Sequence, residues 1–121
     1  MNSCKKLRDL LEGPELLMAP GVADALNARL VAEANFKAIY MTGSGTTASR
    51  LGMPDIGLLS VSEMVDNASR IADASGLPLI SDADTGYGGP LNVHRTIRMF
   101  EKAGAAGVHI EDQNWPKRCG H

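Results

Sequence analysis

Cysteine is scarce in this chain: Cys4 and Cys119 are the only two among 121 residues, and they lie far apart. Two isolated thiols exclude a disulfide scaffold and fit a reducing cytosol. No apolar run approaches the roughly 18 residues of a membrane span. The first residues, Met1 to Leu11, mix Lys and Arg with short apolar stretches, so no secretory h-region is read there. Aromatic residues make up only 4%, the formal net charge is −2, and no basic patch interleaved with aromatics is present. Nucleic acid is therefore not an expected partner. Low-complexity segments, linkers and a second domain are missing too. What remains is 44% hydrophobic and 21% charged, the composition of an ordinary globular chain. A cytoplasmic α/β protein is expected.

The elements follow from periodicity and breakers. Residues 4–12 read as a leading helix stopped by Gly13-Pro14. The apolar run 16–19, ended by Pro20-Gly21, reads as a first buried strand. Apolar residues at helical spacing (Ala25, Leu26, Leu30, Val31, Ala34) predict a helix over 24–34. A second strand is expected over 37–42, then an irregular stretch over 46–59 containing Gly52, Pro54 and Gly57. Ser60 or Ser62 caps the next helix, with Glu63 in its first turn, and that helix runs to about Ser75. A third strand covers 77–81, a helix 90–103 ends at Gly104, and a fourth strand covers 107–110. Helices linking short apolar strands imply a parallel sheet covered by helices. Met41, Met53, Met64 and Met99 read as core, His94 as a surface or packing residue, and His109 as a satisfied core histidine, its alternative being a neighbour behind Glu111 on the same strand face.

The polar and Gly-rich residues all follow strands, where sites lie in parallel α/β folds. In Asp82-Ala83-Asp84-Thr85-Gly86-Tyr87-Gly88, strand alternation would aim both carboxylates at one spot. Carboxylates that close repel unless a cation or proton lies between them, and oxygen donors suit Mg²⁺ or Mn²⁺. The alternative is that Asp84 caps a turn while Asp82 accepts backbone hydrogen bonds. Glu111 and Asp112 end the next strand, about 4.8 Å away in a parallel sheet, so one of them can join. Cys119, flanked by Lys117, Arg118 and His121, is a candidate nucleophile or proton donor. Its alternative is an incidental thiol in a basic loop. Thr42-Gly43-Ser44-Gly45 offers N–H groups and hydroxyls to a carboxylate or phosphate. Asp55 sits in a loop long enough to be functional.

Taken together, Tyr40 to Gly45, Gly52-Met53-Pro54-Asp55, the Asp82 to Gly88 run, His109-Ile110-Glu111-Asp112-Gln113 and Lys117-Arg118-Cys119-Gly120-His121 resemble the isocitrate lyase and phosphoenolpyruvate mutase superfamily. The resemblance spans nearly the whole chain. The Lys-Arg-Cys-Gly-His run is similar to its carbon–carbon lyase side, above all 2-methylisocitrate lyases, with dimethylmalate lyases and oxaloacetate hydrolases beside them. It implies a (β/α)₈ barrel, of which residues 1–121 would be the N-terminal half of a single domain, because a complete barrel needs roughly 250 residues.

The resemblance further implies Mg²⁺ (or Mn²⁺) held by Asp82, Asp84 and Glu111. Thr42, Gly43 and Ser44 would hold a substrate carboxylate, with Asp55 and Tyr40 near the reacting centre and Asp82 also reaching substrate through the metal. Cys119 would protonate a carbanion, with Lys117 and His121 setting its pKa. The implied reaction cleaves a 2-hydroxy di- or tricarboxylic acid to an α-keto acid and a carboxylic acid. A carboxyphosphonoenolpyruvate-type mutase, an oxaloacetate hydrolase and a metal-binding but inactive fragment are the alternatives. The family also implies a homo-oligomer, a dimer or tetramer, with a small carboxylic acid as the only other partner.

Overall fold

Four short strands form one parallel sheet in the order β1-β2-β3-β4 in a computed structural model that describes residues 2–120. They are β1 (Gly21–Val22), β2 (Ile39–Met41), β3 (Leu79–Asp82) and β4 (Ala105–His109). The helices are α1 (Ser3–Glu12), α2 (Ala25–Glu33), α3 (Gly43–Leu51), α4 (Val61–Ser75) and α5 (Pro90–Lys102). Strand order equal to chain order, with helical crossovers, is the arrangement expected of a barrel sector.

Alternation along the strands divides the sheet into two faces. Ile39 and Met41 on β2, Leu79 on β3 and Val22 on β1 are fully buried against Ala28, Met64, Ala68, Ile71 and Phe100 of the helices. The intervening positions Gly21, Tyr40, Ile80 and Gly107 stand in register across the other face, where the buried Leu7 of α1 approaches Gly107. One extra residue in β4 interrupts its ladder with β3 between Leu79 and Ile80, a bulge that brings Asp82 opposite His109.

Local chemistry sets the ends. The Ser60 hydroxyl and the Glu63 carboxylate form a reciprocal capping box on α4, and Gly76 closes that helix in the left-handed region at φ 64°. Asn2 caps α1 by accepting the Cys4 N–H at 2.8 Å.

Several expectations are corrected. The run 16–19 lies outside the sheet, with Leu16 91% and Met18 64% exposed. Pro20 does not end the first strand. Its carbonyl accepts the Tyr40 N–H at 3.0 Å and so begins the pairing, a role an edge proline can fill because it lacks only the donor. The first half of the supposed irregular stretch is helix α3. Its Gly and Thr residues are poor helix formers, but Thr42 caps it, the Thr46 and Thr47 hydroxyls bond back to the carbonyls of Thr42 and Gly43, and Gly52 (φ 63°) terminates it. Gly104 (φ 96°) lies one residue beyond the α5 cap, Ala103. His109 and Met53 are exposed, not core; His94 is exposed as expected.

Candidate active site at the strand ends

The carboxyl ends of β2, β3 and β4 open into a cavity of about 230 Å³ lined by Tyr40, Thr42, Ser44, Asp55, Asp82, Glu111, Gln113, Lys117, Cys119 and Gly120. Most of the residues singled out from sequence meet here, although they come from five separate stretches of chain. Asp82, at the end of β3, is 7% exposed. Its Oδ2 accepts the Gly43 N–H at 3.2 Å and its Oδ1 accepts the Asp84 N–H at 2.8 Å. These bonds fix the carboxylate while leaving each oxygen a further lone pair. Gly43 is needed for the approach, because a Cβ there would lie 2.4 Å from Asp82 Oδ2.

Glu111 reaches the same cavity because pairing of the chain continues beyond β3 and β4. The Ala83 N–H donates to the His109 carbonyl at 2.9 Å, and the Glu111 N–H to the Asp84 carbonyl at 2.7 Å. Gln113 donates its amide to the Glu111 carboxylate, and its Oε1 accepts the Arg118 N–H at 3.2 Å. Sequence reasoning gave Gln113 no role; its position two residues beyond Glu111 was the available signal. Of the pair Glu111 and Asp112, only Glu111 lines the cavity.

Asp84 departs from the alternation argument. β3 ends at Asp82, and Asp84 adopts φ 48° in the turn beyond it, so the same-face rule for strands does not reach it. Its buried carboxylate bonds instead to the Lys117 ammonium, which also contacts Asp55 at 2.9 Å. The side chains of this triad are almost inaccessible: 2% for Lys117 and 7% for each aspartate. Burial works against the Lys117 charge, but its hydrogen bonds to Asp84 and Asp55 outweigh that, and the ammonium is held above lysine's usual range. Burial keeps the Asp84 carboxyl above its usual range, with Lys117 pulling in the opposite direction. Lys117 thus neutralises acids at the wall of the cavity.

Tyr40 stacks obliquely on His109, with ring centroids 5.2 Å apart. Burial first, then the charges of Asp82 and Glu111, push its phenol up to about 12. Tyr87 is also raised, by burial and then by Asp84 and Asp82. Its buried hydroxyl has no hydrogen-bond partner among the described residues. Cys119 is half-buried at the cavity wall. His121 lies outside the described residues. Gly43 holds Asp82 in place but does not line the cavity itself.

The donor set can be tested for Mg²⁺. Among the described residues no group of three His, Cys, Asp or Glu side chains is poised as a ready ligand cage. Three carboxylates (Asp55, Asp82 and Glu111), an amide and hydroxyls share the cavity with the Lys117 ammonium and the Cys119 thiol. The few oxygen donors among them fit Mg²⁺, which keeps several waters, while Lys117 is taken up by Asp84 and Asp55. No helix among the described residues is long and apolar enough to cross a membrane. A larger, mostly apolar cavity of about 610 Å³ between Leu58, Leu59, Tyr87 and Trp115 contains none of these acids.

Comparison with known proteins agrees with this arrangement. Residues 7–120 match the phosphoenolpyruvate phosphomutase family. The chain is 50% identical to 2,3-dimethylmalate lyase of Eubacterium barkeri over all 121 residues, covering 42% of that protein. It is 45% identical to 2-methylisocitrate lyase of Bacillus subtilis, covering 96% of this chain and 38% of that one. Among solved structures, oxaloacetate acetylhydrolase with 3,3-difluorooxalacetate superposes with a TM-score of 0.93 at 54% identity, over 98% of this chain and 41% of that one. Phosphonopyruvate hydrolase complexed with oxalate and Mg²⁺ gives a TM-score of 0.91 at 35% identity, over 98% and 41%. The chain therefore spans about two-fifths of the length of these relatives. With its parallel α/β sector of a (β/α)₈ barrel and its acids at the strand ends, the chain belongs to the phosphoenolpyruvate mutase and isocitrate lyase superfamily.

Proposed function

We propose that this chain is the N-terminal part of a single-barrel, Mg²⁺-dependent carbon–carbon lyase. The substrate is a 2-hydroxy di- or tricarboxylic acid of the 2-methylisocitrate type, and the products are an α-keto acid and a carboxylic acid. The observation that carries this reading is the gathering of Asp82, Glu111, Tyr40, Thr42, Ser44 and Cys119 around one small cavity. The Mg²⁺ that accompanies oxalate in the phosphonopyruvate hydrolase complex supports the choice of metal; Mn²⁺ has the same donor preferences.

Asp82 and Glu111 would hold the cation, with Asp84 behind them, tied to Lys117. When bound, the metal supplies Lewis-acid stabilisation of charge on the substrate 2-oxygen. Thr42 Oγ1 and Ser44 hold the substrate carboxylate. The Tyr40 phenol, raised to about 12, stays protonated at neutral pH and donates a hydrogen bond at the reacting centre. Asp55, fixed by Lys117, lies at the same cavity wall, where its carboxylate would take the 2-hydroxyl proton as the C2–C3 bond breaks and the C2 keto group forms. Cys119 Sγ gives a proton to the carbon released by C2–C3 cleavage, and His121 follows two residues later in sequence. The expected assembly is a homo-oligomer in the cytoplasm.

A second reading, oxaloacetate hydrolysis, is favoured by the 54% identity to oxaloacetate acetylhydrolase. Both are tested on the protein at its native length by following keto-acid release from 2-alkylmalates and 2-methylisocitrate, and oxalate release from oxaloacetate. Cleavage of the 2-hydroxy acids, lost in Cys119→Ser, supports the lyase. Oxalate formation alone assigns the hydrolase. Activity only toward phosphonates assigns a mutase, and no turnover with Mg²⁺ still bound assigns a binding-only chain.

A further inference from the structure

Asn67 lies on α4, away from the cavity lining, and is only 5% exposed. A buried amide must satisfy its polar atoms or cost stability. Its Nδ2 donates to the Ala23 carbonyl at 2.9 Å and to Thr46 Oγ1 at 3.3 Å, and contacts Met41 Sδ at 3.6 Å. Carbonyl and thioether partners accept only, so the amide must present its nitrogen here; the reversed orientation would set oxygen against oxygen.

That orientation dictates the next link. The Thr46 hydroxyl has one proton, and Oγ1 receives a bond from Asn67. The proton is free to point to the Thr42 carbonyl, where the bond is 2.6 Å. Thr42 in turn accepts the Gly45 N–H at Oγ1, 3.0 Å away, and its own N–H donates to the Val22 carbonyl at 3.1 Å. The relay therefore runs Asn67, Thr46, Thr42 in one direction, each bond polarising the next. It joins the end of β1, the end of β2 and the first turn of α3.

We infer that Asn67 is a positioning residue for carboxylate binding, acting through Thr46 to set Thr42 and Ser44 at the cavity. This rests on the proposed role of Thr42 and Ser44 in holding a substrate carboxylate.

The test uses oxalate as the probe, titrated calorimetrically with Mg²⁺ present into the protein at its native length. The variants are Asn67→Leu, Thr46→Val, their double, Ser44→Ala, and Ile71→Val as a control. Ile71 shares α4 and is fully buried, but belongs to the apolar core. Asn67→Leu and Thr46→Val should each weaken oxalate about tenfold, the effect of one lost buried hydrogen bond. The double should be little worse than either single, because both cut one relay. Ile71→Val should lower the melting temperature and leave oxalate affinity within about twofold. If Asn67→Leu does not fold, the near-isosteric Thr46→Val carries the test. Parent-like oxalate affinity in Asn67→Leu and Thr46→Val, with affinity lost in Ser44→Ala, would overturn the role of Asn67 and leave the carboxylate site standing. A parent that does not bind oxalate, or a Ser44→Ala that binds as the parent does, would overturn the carboxylate site and this inference with it.

Discussion

Replacing Lys117 by Met removes one charge while keeping most of the stem that packs in the site. Two aspartates with side chains only 7% exposed would then lose their shared cation. Removing one partner of a buried pair strands the other charge, at a cost of about 3–5 kcal/mol. A surface pair would cost about 0–1 kcal/mol, so the two cases are separable. The pH dependence adds a second signature. In the parent, Lys117 is raised above its unfolded value, so its contribution is present below about pH 10 and fades only as pH climbs through the native value. In the variant, Asp84, already held above its usual range by burial, loses the opposing pull of Lys117 and binds more protons folded than unfolded. The deficit should therefore be largest near neutral pH and shrink as pH falls toward about 4. Urea denaturation of parent, Lys117→Met and Lys117→Arg at acid and neutral pH measures both effects. A loss in Lys117→Met below about 0.5 kcal/mol, the same at both pH values, would refute the buried-triad reasoning.

Two further outcomes follow from the site. The only tyrosines are Tyr40 and Tyr87, both raised, so tyrosinate absorbance should not develop until well above the usual tyrosine range of about 10. Stability should then fall with rising pH from there, since the unfolded chain ionises first; a phenol titrating near 10 in the folded protein would contradict this. Gly43→Ala places a methyl 2.4 Å from Asp82 Oδ2 and should weaken Mg²⁺ about tenfold or more, as disturbed ligand orientation does, with the fold retained by circular dichroism. Unchanged Mg²⁺ affinity would show that Asp82 is not held by that contact.

Much of the architecture was legible because strand–helix alternation is written in local periodicity. The start of α4, left between Ser60 and Ser62 and found at Ser60, the breakers and the parallel order all follow from neighbours in sequence. That the candidates would gather was legible too: Asp82 closes β3, Glu111 and Cys119 come after β4, and all three line one cavity. Its wiring was not. Lys117 stands two residues before Cys119 in sequence, but its ammonium goes to Asp55, 62 residues away. Such a pairing is decided by burial, which no local pattern encodes. Asp84 failed the alternation rule because β3 ends at Asp82 and Asp84 is itself left-handed in the turn beyond it. Residues 46–51 read as irregular because helix propensity undervalues hydroxyls that bond back to the preceding turn. The supposed strand at 16–19 shows the converse error: apolar residues lacking a ladder partner make no strand.

The central claim is that Asp82 and Glu111 make this cavity a divalent-cation site. Calorimetric titration of Mg²⁺ into the parent and Asp82→Ala, both at native length, tests it most directly. The account predicts saturable binding to the parent that is lost in the variant. Equal Mg²⁺ affinity in the two proteins would contradict it.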